Sequence, residues 1–421
     1  MTNGESAKTA MRRGPTRTAD RRVTACGLWV AGSFLVLAVA SAFLPEDVRR
    51  GDWLPVHLAL AGGATQAIAA ALPFFVASLA AARPAPWQLR ALVLALLGLG
   101  AVAVTVGVSG HSSALATTGG VGFVSGITLL AVATFLPLRR ALGRRYPWIQ
   151  AAYAIALADV AMGATLATVQ VDGWAPVVAD WGWLKPAHAW LNLLGFVSLV
   201  VAGTLLHLYP TVVGSRIMGG LRVRAMVAAL AAGAPLVALG YVARIDAVGR
   251  IGGALELAGA LALTSIAAGA WRTRGRWTGD LAWRRVAIGS LGAGIGWFVV
   301  AVAVAAGRVV LEGPVPEAWS LDLVGAPLAA GWVVQSIVGA WTHLLPAISG
   351  GSLDRHGAQR RILGTAATPR LIVLNGGVLL LSVGVAWPAP APAVAGALLV
   401  AAGLLAAIVA FARASLMSGV A

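Results

Sequence analysis

Six histidines are the residues of this 421-residue chain best suited to holding a metal or moving a proton. Imidazole is a good ligand for copper, zinc and haem iron, and it titrates near neutral pH. The chain has one cysteine, Cys26, so an internal disulfide or thiolate cluster is excluded. His57 and His188 each open a long apolar run, and His111 lies between two such runs in Ser109-Gly110-His111-Ser112-Ser113. His207 and His343 close two other runs, and His356 sits in an arginine-rich connection where a solvated ring is expected. Two groups emerge. His57, His111 and His188 share one depth and form a candidate metal trio. The plain reading of His111 is an exposed loop residue.

The other two histidines carry an internal echo. The stretch from Gly203 through His207 and Pro210 to Gly214 has the order G-x-x-x-H-L-x-P-x-x-x-G, and so does the stretch from Gly339 through His343 and Pro346 to Gly350. One reading is a shared helix end, with proline bending the helix and glycine releasing the chain. The chemical reading is paired haem ligands or a proton relay. Five further polar residues fall inside apolar runs: Asp159, Glu256, Gln66, Asn192 and Gln335. Such residues are expensive in a bilayer and are functional candidates by default, although a packing hydrogen bond satisfies them too. Gln66, Asn192 and Gln335 share their runs with histidines, which points to a site enclosed by the second, sixth and tenth runs.

The elements that position these residues follow from composition. Hydrophobic residues make up 59% of the chain and charged residues 11%, and mean hydropathy is +0.84. A soluble fold has no means of hiding that much apolar surface, whereas a bilayer does not require it hidden. The apolar runs are about 20 residues long, enough to cross a hydrocarbon core, and backbone groups in lipid must pair internally, which predicts helices. About twelve spans are predicted, near 24–44, 54–81, 88–108, 114–138, 148–170, 187–213, 225–243, 249–271, 285–307, 322–347, 371–388 and 391–413. The run from Ala25 to Leu44 exceeds a signal h-region and lacks a small-residue cleavage site, so it reads as a retained span. The expected organisation is a disordered basic tail over 1–22, one membrane domain over 23–415 and a short tail over 416–421.

Charge predicts orientation. Arginines crowd alternate connections, at Arg83, Arg139, Arg140, Arg144, Arg145, Arg216, Arg272, Arg284, Arg285, Arg360 and Arg361 among others. The opposite connections carry Glu46, Asp47, Asp52, Asp172, Asp180, Glu312 and Glu317. This is the positive-inside pattern, with both termini expected in the cytoplasm of a plasma membrane. The net charge of +16 is therefore topological, and no nucleic-acid partner is called for. The stretch from Val171 to Pro186, with Trp174, Trp181 and Trp183, is expected to lie on the outer surface or cap a site.

The stretch His188-Ala-Trp-Leu-Asn192-Leu-Leu-Gly195, with Gly203-Thr204 and Tyr209-Pro210-Thr211, resembles the sixth span of haem-copper oxidase subunit I-like membrane proteins. It is most similar to the membrane modules of actinobacterial multicopper oxidase or nitrite-reductase-like proteins. His57 with Leu58 to Gly62 resembles their second span, and Gly331 to Ala340 with Leu344-Leu345-Pro346 resembles a later one. The resemblance implies an all-α bundle of about twelve helices, arranged like cytochrome c oxidase subunit I, that binds haem or copper. His57 and His188 stand at positions similar to a haem ligand and a copper ligand. Trp190 replaces a histidine common in the relatives, and the seventh span and the outer half of the tenth contain no histidine. Terminal oxidase activity is therefore not expected. Electron transfer, copper handling or a nitric-oxide response remain, with a periplasmic copper protein or electron donor as partner. The alternatives are a proton- or ion-coupled transporter without redox cofactor, and a structural partner of a periplasmic copper protein.

Overall fold

The computed structural model describes residues 15–141, 146–217, 219–275, 282–349 and 352–417. Twelve helices are long and apolar enough to cross a membrane, and no strand occurs among the described residues. They are α1 (Ala19–Ser41), α2 (Trp53–Leu79), α3 (Trp87–Ser109), α4 (Ser113–Arg139), α5 (Pro147–Asp172) and α6 (Trp181–Val213). The second half comprises α7 (Leu221–Ala243), α8 (Asp246–Arg272), α9 (Ala282–Glu312), α10 (Pro316–Ser349), α11 (Ala367–Ala386) and α12 (Pro390–Leu416). The protein is thus a multi-pass, all-α membrane bundle. An arginine-rich end and an acidic end follow from the connections.

Several boundaries differ from expectation, among them the tenth span, which begins at Pro316 rather than 322. The first helix begins at Pro15, within the stretch expected to be a disordered tail, while residues 1–14 lie outside the described residues. Arg90 of α3 is 2% exposed and holds this start in place, bonding Asp20 Oδ1 at 3.1 Å and also Thr24. Proline at a first helical position also suits a helix start. The sixth span begins at Trp181 rather than 187, because most of the expected outer loop is helical: a short turn over Ala175–Ala179 leads directly into α6. At the other end α12 runs to Leu416, and residues 418–421 lie outside the described residues.

The bundle is organised around α2, α6 and α10. Their most apolar windows are 61%, 78% and 67% buried, against 22% for α11, so these three are the central helices and the others wrap them. Each contains a π-helical segment: Leu58–Ala64, Leu191–Ser198 and Ala326–Val334. A π turn inserts an extra residue and widens the helix, and it is common at functional sites. Each segment carries a glycine against which the preceding odd-numbered helix presses. A Cβ would lie 2.3 Å from Phe34 of α1 at Gly62, 2.6 Å from Asp159 of α5 at Gly195, and 2.6 Å from Trp297 of α9 at Gly331. The chain is therefore built from three four-helix units, each with a central second helix. In the middle unit an aspartate fills the place taken by aromatics in the others. Trp332 of α10 bonds Ser198 of α6 through Nε1 at 3.1 Å, which fastens two of the central helices together.

Candidate metal site

His57 and His188 meet at the acidic end, between α2 and α6. Their ring centroids are 6.4 Å apart and their planes differ by 12°. Both rings are half-buried. Trp53 stacks on His57 at 4.2 Å, one helical turn earlier on α2, and Trp181 lies 6.0 Å from His188. The pair thus has an indole on each side.

Hydrogen bonds hold both rings through Nδ1. His57 Nδ1 lies 2.7 Å from the carbonyl of Trp53, and His188 Nδ1 lies 2.8 Å from that of Gly163 on α5. A carbonyl only accepts, so His57 Nδ1 donates to it, whereas His188 Nδ1 lies between the Gly163 carbonyl and, at 3.1 Å, the Asn192 Nδ2 amide. The amide of Asn192 then bonds the His188 carbonyl at 2.6 Å, holding the turn on which the ring sits. Neither Nε2 has a hydrogen-bond partner among the described residues. This is the arrangement found behind metal-bound histidines, where the second nitrogen is anchored to a carbonyl or carboxylate. His57 and His188 would hold a metal ion through imidazole nitrogen, a good ligand for copper and haem iron.

Local sequence explains how α5 reaches the site. A Cβ at position 163 would lie 2.4 Å from Asn192 Nδ2, so glycine is what allows the α5 backbone to present its carbonyl to His188. One turn along, Asp159 is 1% exposed and its Oδ2 has no hydrogen-bond partner among the described residues.

The other candidates do not join the pair. His111 is exposed, has a φ of +57°, and lies 2.8 Å through Nδ1 from Arg50 Nη2. Among the described residues no three His, Cys, Asp or Glu side chains gather to hold a metal ion, so the trio of His57, His111 and His188 reduces to a pair. The echoed histidines occupy separate ring cages. His207 contacts Phe75 at 5.9 Å and Tyr146 at 5.6 Å, whereas His343 lies 5.9 Å from Trp283. Their motif lies near the ends of two helices, with Pro210 and Pro346 inside them.

The expected polar enclosure of α2, α6 and α10 is likewise dispersed, although those helices do converge. Gln66 turns to α3 and donates to the Leu94 carbonyl at 2.8 Å. Gln335 turns to α11, where its amide and the Trp297 indole both donate to Asn375 Oδ1 at 2.9 Å. Glu256 is 1% exposed and packs against α7, where a Cβ at Gly233 would lie 2.7 Å from its Cγ. His356 is not in a solvated loop. It lies on a helix, Leu353–Leu363, with Nε2 buried. Asn375 was missed although it carries the same signal as Gln66, a lone amide in an apolar run. Trp53 and Gly163 gave no chemical signal, because their contribution is a main-chain carbonyl.

The fold and site define a polytopic helical membrane protein with a two-histidine constellation near one membrane face. No protein-family model matches the chain, and no curated protein matches it.

Proposed function

We propose that this protein holds one transition-metal centre, copper or haem iron, between His57 and His188, and uses it for electron transfer or copper handling. The carrying observation is the pair itself: two near-parallel imidazoles 6.4 Å apart, each anchored through Nδ1 to a main-chain carbonyl. The resemblance to haem-copper oxidase subunit I agrees with this reading, since both residues stand where those proteins carry ligands. The positive-inside rule puts the acidic end outward, within reach of a periplasmic donor or copper carrier. A complete oxidase centre does not fit. Two haems and a copper need more imidazoles than the described residues bring together, so oxygen reduction is not part of the proposal. A bound ion would supply one-electron chemistry. The chain's own residues orient the imidazoles and shield them with Trp53 and Trp181.

The test is metal analysis and an optical spectrum of detergent-purified protein expressed with haem and copper supplied. One copper per chain, or a Soret band, is expected, and either is lost in His57→Ala and in His188→Ala. Protein that contains neither metal overturns the proposal.

Asp159 favours a second reading. A carboxyl group with an unpartnered oxygen, 1% exposed, on the helix that supports His188 suits a proton- or ion-coupled transporter. Proteoliposomes that show proton or metal-ion flux abolished by Asp159→Asn would favour it, and absence of flux would remove it.

A further inference from the structure

The seam between α5 and α6 carries polar contacts along its whole length. At the acidic end His188 Nδ1 lies 2.8 Å from the Gly163 carbonyl, and one turn further in Asn192 packs on Gly163. Asp159 comes next, pressed against Gly195, with Oδ2 unpartnered among the described residues. Deeper still, the Tyr153 hydroxyl lies 2.9 Å from Thr204 Oγ1. At the arginine-rich end the His207 and Tyr146 rings lie 5.6 Å apart, and His207 Nδ1 is buried without a partner among the described residues. Tyr146 is 38% exposed, so this end of the seam reaches the surface.

Other seams are built differently. Gly100 and Gly107 of α3 close on Gly119, Phe123 and Ala116 of α4, while Gly384 and Gly377 of α11 close on Ala393, Leu399 and Val400 of α12. Those contacts join small and apolar residues, as close helix packing in a membrane requires. The α5/α6 seam instead sets a carboxyl group, three hydroxyls and an imidazole in file: Asp159, Tyr153, Thr204, Tyr146 and His207. Each of these groups is able to accept one proton and release another. Helical rise puts Tyr153 about 9 Å from Asp159 along the axis, and His207 about 5 Å from Thr204. Water closes steps of that size at about 2.8 Å per hydrogen bond. Asp159 is 1% exposed, a costly setting for a carboxyl group, and files of aspartate and histidine inside a bilayer mark proton relays.

We propose that the α5/α6 seam conducts protons between the arginine-rich face and Asp159, which exchanges them past Asn192 with the acidic face. His207 and Tyr146 form the mouth, and the Tyr153–Thr204 pair is the station between mouth and carboxyl group. The inference rests on the second reading above, that of a proton-coupled transporter, and adds the route. His188 keeps its proposed ligand role and is not a carrier.

Proteoliposomes of the full chain with a pH-sensitive dye inside test the proposal. A potassium gradient with valinomycin supplies the driving force and balances the charge moved. Proton flux above that of empty vesicles is expected, and Asp159→Asn should abolish it. Tyr153→Phe and Thr204→Val keep the shape of each side chain and should slow the flux several-fold. Tyr241 of α7 is also fully buried, with an unpartnered hydroxyl among the described residues, but lies off the seam; Tyr241→Phe should leave the flux unchanged. Thermal unfolding checks that each variant is folded. Should Asp159→Asn unfold, the Tyr153 and Thr204 variants carry the test. Flux that is lost in Asp159→Asn yet indifferent to Tyr153→Phe and Thr204→Val overturns the seam and leaves the transport reading standing. Equal slowing by Tyr241→Phe also overturns the seam, and absence of flux removes both.

Discussion

The two ends of the bundle hold histidines of opposite character. At the arginine-rich end, His207 and His343 share a twelve-residue motif, yet His207 lies against Phe75 and Tyr146 while His343 lies against Trp283. At the acidic end, His57 and His188 share no motif, yet their rings face each other across two helices. A repeated motif therefore reports a repeated local task, here a proline-containing helix end. A site arises where packing brings unlike segments together. The difference also shows in hydrogen bonding: Nδ1 lies against a carbonyl in both members of the acidic-end pair, and is buried without a partner among the described residues in both arginine-end histidines.

The sharpest way to break this contrast is to remove each histidine in turn. His57→Ala or His188→Ala should abolish stoichiometric metal, while His207→Ala and His343→Ala should leave it intact, read as metal per chain by elemental analysis. The reverse result would make the motif pair the site. The next effect comes from the groups behind the proposed ligands. Gly163→Ala drives a methyl into Asn192 and displaces the carbonyl that orients His188. Loss of such support typically lowers metal affinity about 10- to 100-fold, measurable by competition with a copper chelator. A third variant probes the frame. Gly62→Ala puts a Cβ 2.3 Å from the Phe34 ring, whereas Gly296→Ala meets nothing within 4 Å. Overpacking of this kind costs about 1–3 kcal/mol, so the first should lower the detergent Tm and the second should not.

Much of the architecture was legible because the bilayer enforces it. Apolar runs of fixed length and alternating arginine connections marked all twelve spans, including the tight turns at Arg244 and between Trp387 and Pro390. His57 and His188 were legible one at a time, by type and depth. Their convergence was not, because it depends on how α2, α5 and α6 pack, and no local pattern encodes that. The three-unit repeat was also hidden. Its register rests on Gly62, Gly195 and Gly331, but the side chains pressing on them are Phe34, Asp159 and Trp297, which have nothing in common as letters. Gln66 and Gln335 misled for the converse reason. Their polarity was visible, but the direction in which each side chain leaves its helix was not.

The smallest expected effect concerns the segment that leads into α6. Arg244, in the turn between α7 and α8, bonds Asp180 at 2.8 Å and lies 5.1 Å over the Trp183 ring. Both charged side chains are more than half exposed, at 51% and 57%. An ion pair in that setting contributes about 0–1 kcal/mol, and the cation–π contact about 0.5–1 kcal/mol. Arg244→Ala should therefore shift the Tm only slightly and leave metal content unchanged. Asp180, however, immediately precedes Trp181, the residue that flanks His188. Loosening that end should let the indole swing away from the ring without disturbing its Gly163 anchor. The expected signature is faster copper release to a chelator at unaltered stoichiometry. Unchanged release would mean that the helical segment after Asp172 is a passive connection, and that His57 and His188 owe their shielding to Trp53 alone.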